Sequence, residues 1–266
     1  MNLPAPLGIL AGSGAYPELL AEAILEHQDQ VVVAGLLGQA NPDDFNHPGV
    51  RFRPVYLGAF KSAARCFLSA GVSHIFFAGG VNRQRAWRYL RPDLIGLALL
   101  ANAMLCGDDA FLKQVAKTFS RLGIHVIDPA PFVLPLLASE GTMAGPEPTP
   151  ELLHDLRIAR QHAKAIGADD IGQGVLVRRS RLLAREDRRG TDALIRHAVP
   201  GSVLVKVVKP NQDRRFDLPA IGPDTALRCA HFGVRAIGVE AGGVLLLHRE
   251  RIVRQCRRSR ISLVGL

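Results

Sequence analysis

The chain has 266 residues, of which 48% are hydrophobic and 21% are charged. This composition is typical of folded globular proteins and excludes global disorder, and the length accommodates two domains more comfortably than a single core. No stretch reaches the roughly 18 uninterrupted apolar residues that would cross a bilayer. Because the first ten residues also lack the basic start of a signal peptide, we expect a cytoplasmic protein.

The formal net charge is +9, and arginines carry much of it in clusters at 178–181, 185–189 and 254–260. A basic surplus suits an anionic partner, such as phosphate groups, an anionic lipid surface or nucleic acid. A solvated surface explains any single cluster equally well. The four cysteines form no C-x-x-C pair, so we expect buried thiols and no disulfide framework or zinc site.

The first half of the chain alternates apolar runs with helical patterns. Strands are expected at 7–11, 31–37, 55–57, 74–78 and 124–127, and helices at 16–27, 60–70, 94–104 and 110–122. This alternation predicts an α/β fold whose amino-terminal part is a Rossmann-like parallel sheet.

A change of character marks a boundary near the middle of the chain. Residues 139–150 contain three prolines and two glycines, which favours a linker between an amino-terminal domain at 1–138 and a second domain at 151–266. The second domain is expected to be a smaller α/β domain that carries catalysis. Its expected helices lie at 150–166 and 225–232, and its strands at 175–177, 203–208 and 243–248.

Two glycine turns follow predicted strands in the first half: Gly12-Ser13-Gly14, and Gly79-Gly80 leading to Asn82. Carboxyl ends of parallel strands share one sheet edge, where backbone amides can approach a phosphate. Pro17 replaces the third glycine of the dinucleotide fingerprint, and no acidic residue ends the next strand. The pattern therefore favours a phosphate or nucleotide over NAD, with a ligand-free turn as the alternative.

Three polar segments mark the second half. Gly172-Gln173-Gly174 implies a special backbone, and Gly190-Thr191-Asp192 is either a helix cap or a ligand clamp. The most informative segment is 205–222, which contains Lys206, Lys209, Gln212, Asp213, Arg215 and Asp217. Cations suit phosphate oxygens and aspartates suit Mg²⁺, so this segment favours pyrophosphate cleavage over a solvated charged loop.

Together these motifs resemble those of the LpxI-type UDP-2,3-diacylglucosamine pyrophosphatases over nearly the whole chain. The resemblance is carried by segments 8–14 with Pro17, 77–79, 107–110, 170–174, 190–192, 209–219 and 240–242. The segment 209–219 is the specific one. The sequence departs from the family pattern at Arg189, where relatives usually carry Glu, and at Gln84 and His248.

The resemblance implies a two-domain enzyme that holds its substrate between the domains and hydrolyses it, with Mg²⁺, to UMP and 2,3-diacylglucosamine 1-phosphate (lipid X). It also implies that Asp217 is the essential acid. We hypothesise that Asp217, with Asp213 or Asp192, holds Mg²⁺ (or Mn²⁺) and the attacking water, with Lys209 as a further catalytic residue. The substrate-binding candidates are Gly12, Ser13, Gly14, Gly79, Gly80, Asn82, Gln173, Gly174, Thr191, Asp192, Lys206, Gln212 and Arg215.

Two other functions stay open. A nicotinamide-dependent oxidoreductase would use the amino-terminal sheet but lacks the ribose-binding acid. A nucleic-acid binder is suggested by charge alone, and with three Tyr and one Trp the chain offers few stacking platforms. We expect a UDP-linked lipid as the partner, peripheral contact with the anionic inner membrane and no nucleic acid; a homodimer is left open.

Overall fold

The computed structural model describes residues 4–103, 108–169, 171–187, 189–210, 212–216 and 218–266. The chain forms two compact units. The first comprises the described part of Met1–Val133 and of Asp213–Asp217, and the second comprises that of Leu134–Gln212 and Leu218–Leu266. Each unit contains a sheet with helices, which confirms the predicted α/β class.

The first unit is built on a five-stranded parallel sheet. Its strands are β1 (Leu7–Ala11), β2 (Val31–Leu36), β3 (Val50–Val55), β4 (His74–Ala78) and β5 (His125–Val126), and its helices are α1 (Tyr16–Leu25), α2 (Phe60–Leu68), α3 (Arg83–Ala86), α4 (Leu94–Ala103), α5 (Asp108–Arg121) and α6 (Ala130–Val133). The strand order β3-β2-β1-β4-β5 puts the reversal of strand order between β1 and β4. This is the Rossmann-like arrangement that the alternation predicts.

Strand β3 lies earlier in the chain than the sequence pattern indicates. The predicted strand at 55–57 is wrong, because the strand is Val50–Val55 and lies at the edge of the described sheet, next to β2. Arg51 and Arg53 stand out of it as exposed side chains. An edge strand tolerates such charges because only one of its sides is hydrogen-bonded to another strand. The sequence of β3 therefore lacks the run of apolar residues by which the other strands were predicted.

The second unit contains a six-stranded mixed sheet and a two-stranded ribbon. Its strands are β6 (Gly141–Ala144), β7 (Gly174–Arg178), β8 (Arg181–Arg185), β9 (Val203–Lys206), β10 (Ala220–Ile221), β11 (Ala236–Val239), β12 (Leu245–Leu246) and β13 (Ser262–Gly265), and its helices are α7 (Pro150–Ala168), α8 (Thr191–Ile195), α9 (Pro223–His231) and α10 (Arg249–Arg258). The sheet order is β6-β13-β11-β9-β7-β8, in which β9, β11 and β13 are parallel. The carboxyl ends of β9 and β11 therefore share one edge.

The stretch predicted as a linker contributes to the second sheet. Within residues 139–150, strand β6 pairs antiparallel with β13. Pro146 and Pro148 lie between this strand and α7, and Pro150 is the first residue of α7, whose cap Thr149 accepts a hydrogen bond from the Leu152 amide at 3.4 Å. Proline and glycine mark the turns beside a four-residue edge strand here, which explains why the composition resembled that of a linker.

Two further expectations concern cysteines and membrane spans. Cys229 and Cys256 are buried, Cys66 is partly buried, and all three are free thiols; Cys106 lies outside the described residues. Among the helices of the described ranges, none has both the length and the apolar character that crossing a bilayer requires.

Candidate active site

The glycine turns after β1 and β4 are bonded to each other. The Ser13 amide donates to the Gly80 carbonyl at 2.7 Å, the Gly80 amide donates to the Ser13 carbonyl at 3.0 Å, and the Ser13 hydroxyl donates to the same Gly80 carbonyl at 2.9 Å. The Gly12 amide donates to the Ala78 carbonyl at 2.8 Å. The two strand ends thus meet where the strand order reverses, as the sequence predicts for the two turns.

The close approach of these strand ends accounts for two of the glycines. A Cβ on Gly12 would lie 2.3 Å from the Gly80 carbonyl oxygen, and one on Gly79 would lie 2.6 Å from that of Ser13. Gly79 also has a φ of +84°, which disfavours any other residue. Gly14 has a φ of +96° with open space around its Cα. It remains free of this steric constraint and is exposed, as a ligand-facing turn would be.

The turn after β2 joins the same edge through a buried amide. Gln39 is 9% exposed, accepts a hydrogen bond from the Asn82 amide at 2.7 Å and donates to the Asn82 carbonyl at 3.3 Å. Asn82, a predicted binding residue, is therefore held through its backbone. Sequence reasoning missed Gln39, although a glutamine directly after a glycine at a strand end is a usable signal for a side chain that ties two loops.

A buried polar cluster occupies the second unit, at the carboxyl end of β9. We call Gln173, Glu186, Thr191 and Lys206 the Glu186–Lys206 cluster. The Lys206 ammonium donates to the Thr191 hydroxyl at 2.7 Å, and that hydroxyl donates to Glu186 Oε1 at 2.5 Å. The Lys206 nitrogen is also 3.9 Å from Glu186 Oε1, and the two side chains are only 9% and 7% exposed.

Glycines 172 and 174 wrap the backbone around Glu186. The Gln173 amide donates to Glu186 Oε2 at 3.1 Å. A Cβ on Gly172 would lie 2.5 Å from the Glu186 carbonyl oxygen, and one on Gly174 would lie 3.1 Å from Glu186 Oε2. The special backbone predicted for Gly172-Gln173-Gly174 thus accommodates a buried carboxylate, which sequence reasoning did not select.

Two side-chain groups of this cluster bear on ligand binding. The Gln173 side-chain oxygen is buried and accepts no hydrogen bond from the residues that the structure describes, so a donor supplied by a ligand would satisfy it. Thr191 begins α8, and its hydroxyl bonds Lys206 and Glu186 within the cluster. These bonds hold the cluster together, and the ligand-clamp interpretation stays a prediction.

A second lysine–glutamate pair lies at the same sheet edge. The Lys164 ammonium contacts both Glu240 oxygens, at 2.9 and 2.7 Å, and donates to the Val208 carbonyl at 2.9 Å. Glu240 also accepts the Val208 amide at 2.9 Å. Glu240 therefore fixes the chain that leaves β9 at Val208, two residues after Lys206. Lys164 was missed because it is one polar residue among many on the long helix α7.

Beyond β9, Lys209 and Gln212 form a local turn. The Lys209 amide donates to the Gln212 side-chain oxygen at 3.1 Å, and the Gln212 amide donates to the Lys209 carbonyl at 3.1 Å. Both residues belong to the second unit with Lys206. The structure thus places the predicted residues Gln173, Gly174, Thr191, Lys206, Lys209 and Gln212 in one unit.

Asp213 and Arg215 belong to the first unit. The Arg215 guanidinium binds both Asp213 oxygens, at 2.9 and 2.7 Å, and lies 5.0 Å from the centre of the Phe216 ring. These hydrogen bonds hold the pKa of the Asp213 carboxyl below its usual value. The Phe216 ring lies 5.9 Å from that of Phe77, at the end of β4. Asp213 is thus neutralised locally.

A cationic cleft of about 530 Å³ borders this loop within the first unit. Arg215 and Phe216 form part of its wall, and the remaining lining comes from α5 and β5: Lys113, Ala116, Lys117, Ser120, Arg121, His125 and Val126. Four permanent cations and a histidine in one cleft would suit a phosphate-bearing ligand. Sequence reasoning missed the α5 cations because a lysine at every fourth position is also typical of a solvated helix face.

Asp192 and Arg189 have local partners at the surface of the second unit. Arg228 Nε lies 3.3 Å from Asp192 Oδ1, and the Asp192 side chain is 58% exposed. Arg189, which departs from the family pattern, binds Asp187 with nitrogen–oxygen distances of 3.0 and 2.7 Å. Hydrogen bonds from Arg189 hold the Asp187 pKa below its usual value.

The described residues do not fit a metal centre. They include no group of three or more His, Cys, Asp or Glu side chains that could hold an ion. Asp192 faces Arg228, and both Asp213 oxygens face Arg215. Asp217 lies outside the described residues, as do the motif residues Gly107, Asp170 and Asn211.

Comparison with known proteins covers both units. A family model described as the LpxI N-terminal domain matches residues 6–136, and one described as the LpxI C-terminal domain matches residues 139–264. A curated relative from Caulobacter vibrioides, named UDP-2,3-diacylglucosamine pyrophosphatase LpxI, is 33% identical over 262 residues, which is 93% of this chain and 92% of the relative. The chain belongs to the LpxI family.

Proposed function

We propose that this chain hydrolyses the pyrophosphate of UDP-2,3-diacylglucosamine to UMP and 2,3-diacylglucosamine 1-phosphate, in the lipid A pathway. Membership of the LpxI family and the name of the Caulobacter vibrioides relative support this proposal. The observation that carries it is the Glu186–Lys206 cluster, in which residues of three separate sequence motifs, Gln173, Thr191 and Lys206, meet at the buried Glu186.

The proposed chemistry needs positive charge at the phosphates. A water oxygen bonds to one phosphorus as the bridging P–O bond breaks, the bridging oxygen leaves on the other phosphate, and the water proton passes to solvent or a base. Negative charge grows on the leaving oxygens, so fixed cations lower the barrier. Lys206, held by Thr191, and the half-buried Lys209 are the proposed cations of the second unit.

Asp217 and Gln173 have different proposed roles. Asp217, the essential acid implied by the resemblance, orients the attacking water. The unsatisfied Gln173 oxygen accepts an N–H or O–H of the nucleotide or the sugar. In the first unit, we assign contact with the substrate to the exposed Gly14, Gly79, Gly80 and Asn82. Ser13 is a positioning residue, because its hydroxyl already donates a hydrogen bond to the Gly80 carbonyl.

Mg²⁺, with Mn²⁺ as an alternative, stays part of the proposal as an activator. Bound to the pyrophosphate, such an ion would supply charge neutralisation. Because the described carboxylates do not fit a metal centre, none of them is proposed as a ligand of the ion. Removing divalent ions with EDTA should abolish hydrolysis and adding Mg²⁺ should restore it; full activity in EDTA would remove the metal from the proposal.

The cellular setting is part of the same proposal. The substrate is a membrane lipid with a cytoplasmic nucleotide head, so we place the enzyme in the cytoplasm with peripheral contact to the inner membrane. A homodimer is compatible with this setting, and sedimentation equilibrium would decide it.

The decisive experiment follows UMP release from UDP-2,3-diacylglucosamine in detergent. The wild type should release UMP, and Asp217→Ala should reduce the rate at least about 100-fold while remaining folded by circular dichroism. Asp224→Ala removes an exposed carboxylate from α9 and should retain full activity. If the wild type releases no UMP with either metal, the proposal fails. Solvent ¹⁸O recovered in UMP, and not in the lipid phosphate, would identify the attacked phosphorus as the α-phosphorus.

A further inference from the structure

The first unit presents a tryptophan and several aliphatic side chains to solvent along α3 and α4. Trp87 and Leu94 are each 77% exposed, and Leu97 is 58% exposed. We call these three residues, together with Ala98, Ala101, Arg85, Arg88 and Arg91, the α3–α4 surface. Large apolar side chains exposed together on one continuous segment mark an interaction site more often than scattered ones do.

Backbone contacts hold the segment so that Trp87 points outward. The Leu57 amide donates to the Tyr89 carbonyl at 3.2 Å, and the Arg91 amide donates to the Leu57 carbonyl at 3.0 Å. The Tyr89 ring packs so closely on Gly38 that a Cβ there would lie 2.1 Å from it. Trp87 is therefore exposed on a turn that is held in place by backbone hydrogen bonds and by the packing of Tyr89.

Helix α4 has an apolar outer face as well as an apolar inner face. Gly96 and Leu99 are buried, and a Cβ on Gly96 would lie 1.9 Å from the Gly58 carbonyl oxygen, so the helix is pressed against the unit. The exposed positions Leu94, Leu97, Ala98 and Ala101 follow helical spacing. A helix that is apolar all round requires an apolar partner on both faces.

The charged residues of this segment are almost all arginines. Arg85, Arg88 and Arg91 are exposed. Asp93 is the single acidic residue in the sequence between positions 82 and 103, and its carboxylate is turned to the backbone, accepting the Lys61 amide at 2.5 Å and the Gly96 amide at 2.9 Å. A tryptophan and leucines flanked by arginines are complementary to an anionic bilayer surface.

We propose that the α3–α4 surface docks on an anionic lipid bilayer. Trp87, Leu94 and Leu97 enter the boundary between headgroups and acyl chains, and the three arginines face the lipid phosphates. The need for docking rests on the proposed function, since a lipid substrate resides in a membrane. Arginine-rich helix α10 is a poorer candidate because it exposes Arg254, Arg257 and Arg258, whereas its large apolar residues Ile252 and Val253 are buried or partly buried.

The chain contains one tryptophan, so Trp87 reports on its own environment in the unmodified protein. With vesicles of phosphatidylcholine and phosphatidylglycerol, its emission should shift to shorter wavelength, and brominated acyl chains should quench it. Pure phosphatidylcholine should give a weaker response, because the arginines then lack anionic partners. An unchanged emission spectrum while the protein co-sediments with vesicles would place membrane contact elsewhere, and absence of co-sedimentation would overturn docking altogether.

Substitutions test the surface directly by co-sedimentation. Leu94→Ser with Leu97→Ser should weaken vesicle binding at least about tenfold by removing buried apolar area. Arg88→Gln with Arg91→Gln should weaken binding to anionic vesicles only. The matched controls are Leu68→Ser, at a 49% exposed position on α2, and Arg257→Gln with Arg258→Gln on α10. Equal losses in variants and controls would refute the assignment to this surface.

Docking and hydrolysis can fail separately. With substrate dispersed in detergent, Leu94→Ser/Leu97→Ser should turn over at the wild-type rate, because the surface contains none of the proposed catalytic residues. With substrate embedded in anionic vesicles, the same variant should be at least about tenfold slower. Loss of activity in both formats would place these leucines in acyl-chain binding and overturn docking, whereas an inactive wild type in detergent would overturn only the proposed function.

Discussion

The Lys206 ammonium donates a 2.7 Å hydrogen bond to the Thr191 hydroxyl, which itself donates to Glu186. Thr191 thus stands between a buried cation and a buried anion that are 3.9 Å apart. Charges removed from water in this way are stable only when both members and their hydrogen bonds are present. The arrangement fixes the position of the Lys206 nitrogen before any substrate arrives.

Lys206→Met should be strongly destabilising because it leaves Glu186 buried without its cation. We expect a loss of about 3 kcal/mol in the free energy of unfolding, measured by chemical denaturation. Lys206→Met combined with Glu186→Gln removes both charges and should recover more than half of this loss. Hydrolysis should be absent from both variants, since the cation is missing from both. A double variant that regains activity with stability would show that Lys206 acts only structurally.

The contact between the glycine turns after β1 and β4 allows a matched pair of glycine substitutions in the first unit. Gly12→Ala places a methyl group 2.3 Å from the Gly80 carbonyl oxygen, whereas Gly80→Ala meets only the Ser13 hydroxyl oxygen, at 3.6 Å. We expect Gly12→Ala to cost more than about 2 kcal/mol and Gly80→Ala less than about 0.5 kcal/mol. Thermal unfolding of both variants measures this, and equal melting temperatures would contradict the described contact.

The Asp213–Arg215 pair predicts a pH dependence of stability. The Arg215 hydrogen bonds lower the folded-state pKa of Asp213, so the pair stabilises the fold above the unfolded pKa of about 3.9 and is lost as pH falls through the lower folded value. Because the Arg215 side chain is 45% exposed, Arg215→Gln should cost less than about 1 kcal/mol at pH 7. The difference from wild type should vanish near pH 2. Arg121→Gln removes a cation from the same cleft and should show no such dependence.

Burial should suppress the reactivity of two thiols in the second unit. Burial raises the pKa of the Cys256 thiol to about 11 and raises that of Cys229 as well. Since the thiolate is the reactive form, iodoacetamide at pH 8 should modify neither cysteine in the native protein and both in denaturant. Peptide mapping by mass spectrometry measures this. Rapid native labelling of Cys229 would show that the core of this unit opens readily.

The sequence predicted the buried strands of the first unit well because their apolar residues are contiguous. Strand β3 was misplaced because its arginines are tolerated at a sheet edge. In the second unit, α10 was read only as an arginine cluster because just two of its residues, Ile252 and Cys256, are buried. Neither its length nor its charge distinguishes such a helix from a solvated tail.

The candidate site was predicted in parts and not as a whole. Gly172-Gln173-Gly174 and Gly190-Thr191-Asp192 were identified as motifs, but their meeting around Glu186 depends on β7 and β9 being neighbours. Glu186 itself lay in a run of charged residues, which usually indicates solvent exposure. Only tertiary structure shows that this carboxylate is buried and paired with Lys206.

The first unit takes residues 213–216 from a stretch of chain whose neighbours on both sides belong to the second unit. A fragment ending at residue 133 would therefore lack the Phe216 ring that packs beside Phe77, and its apolar cluster would be incomplete. The two halves are consequently not exchangeable modules. If the first unit were recombined with another protein or expressed from a separate gene segment, residues 213–216 would have to be included, although they lie far along the chain from the sheet on which they pack.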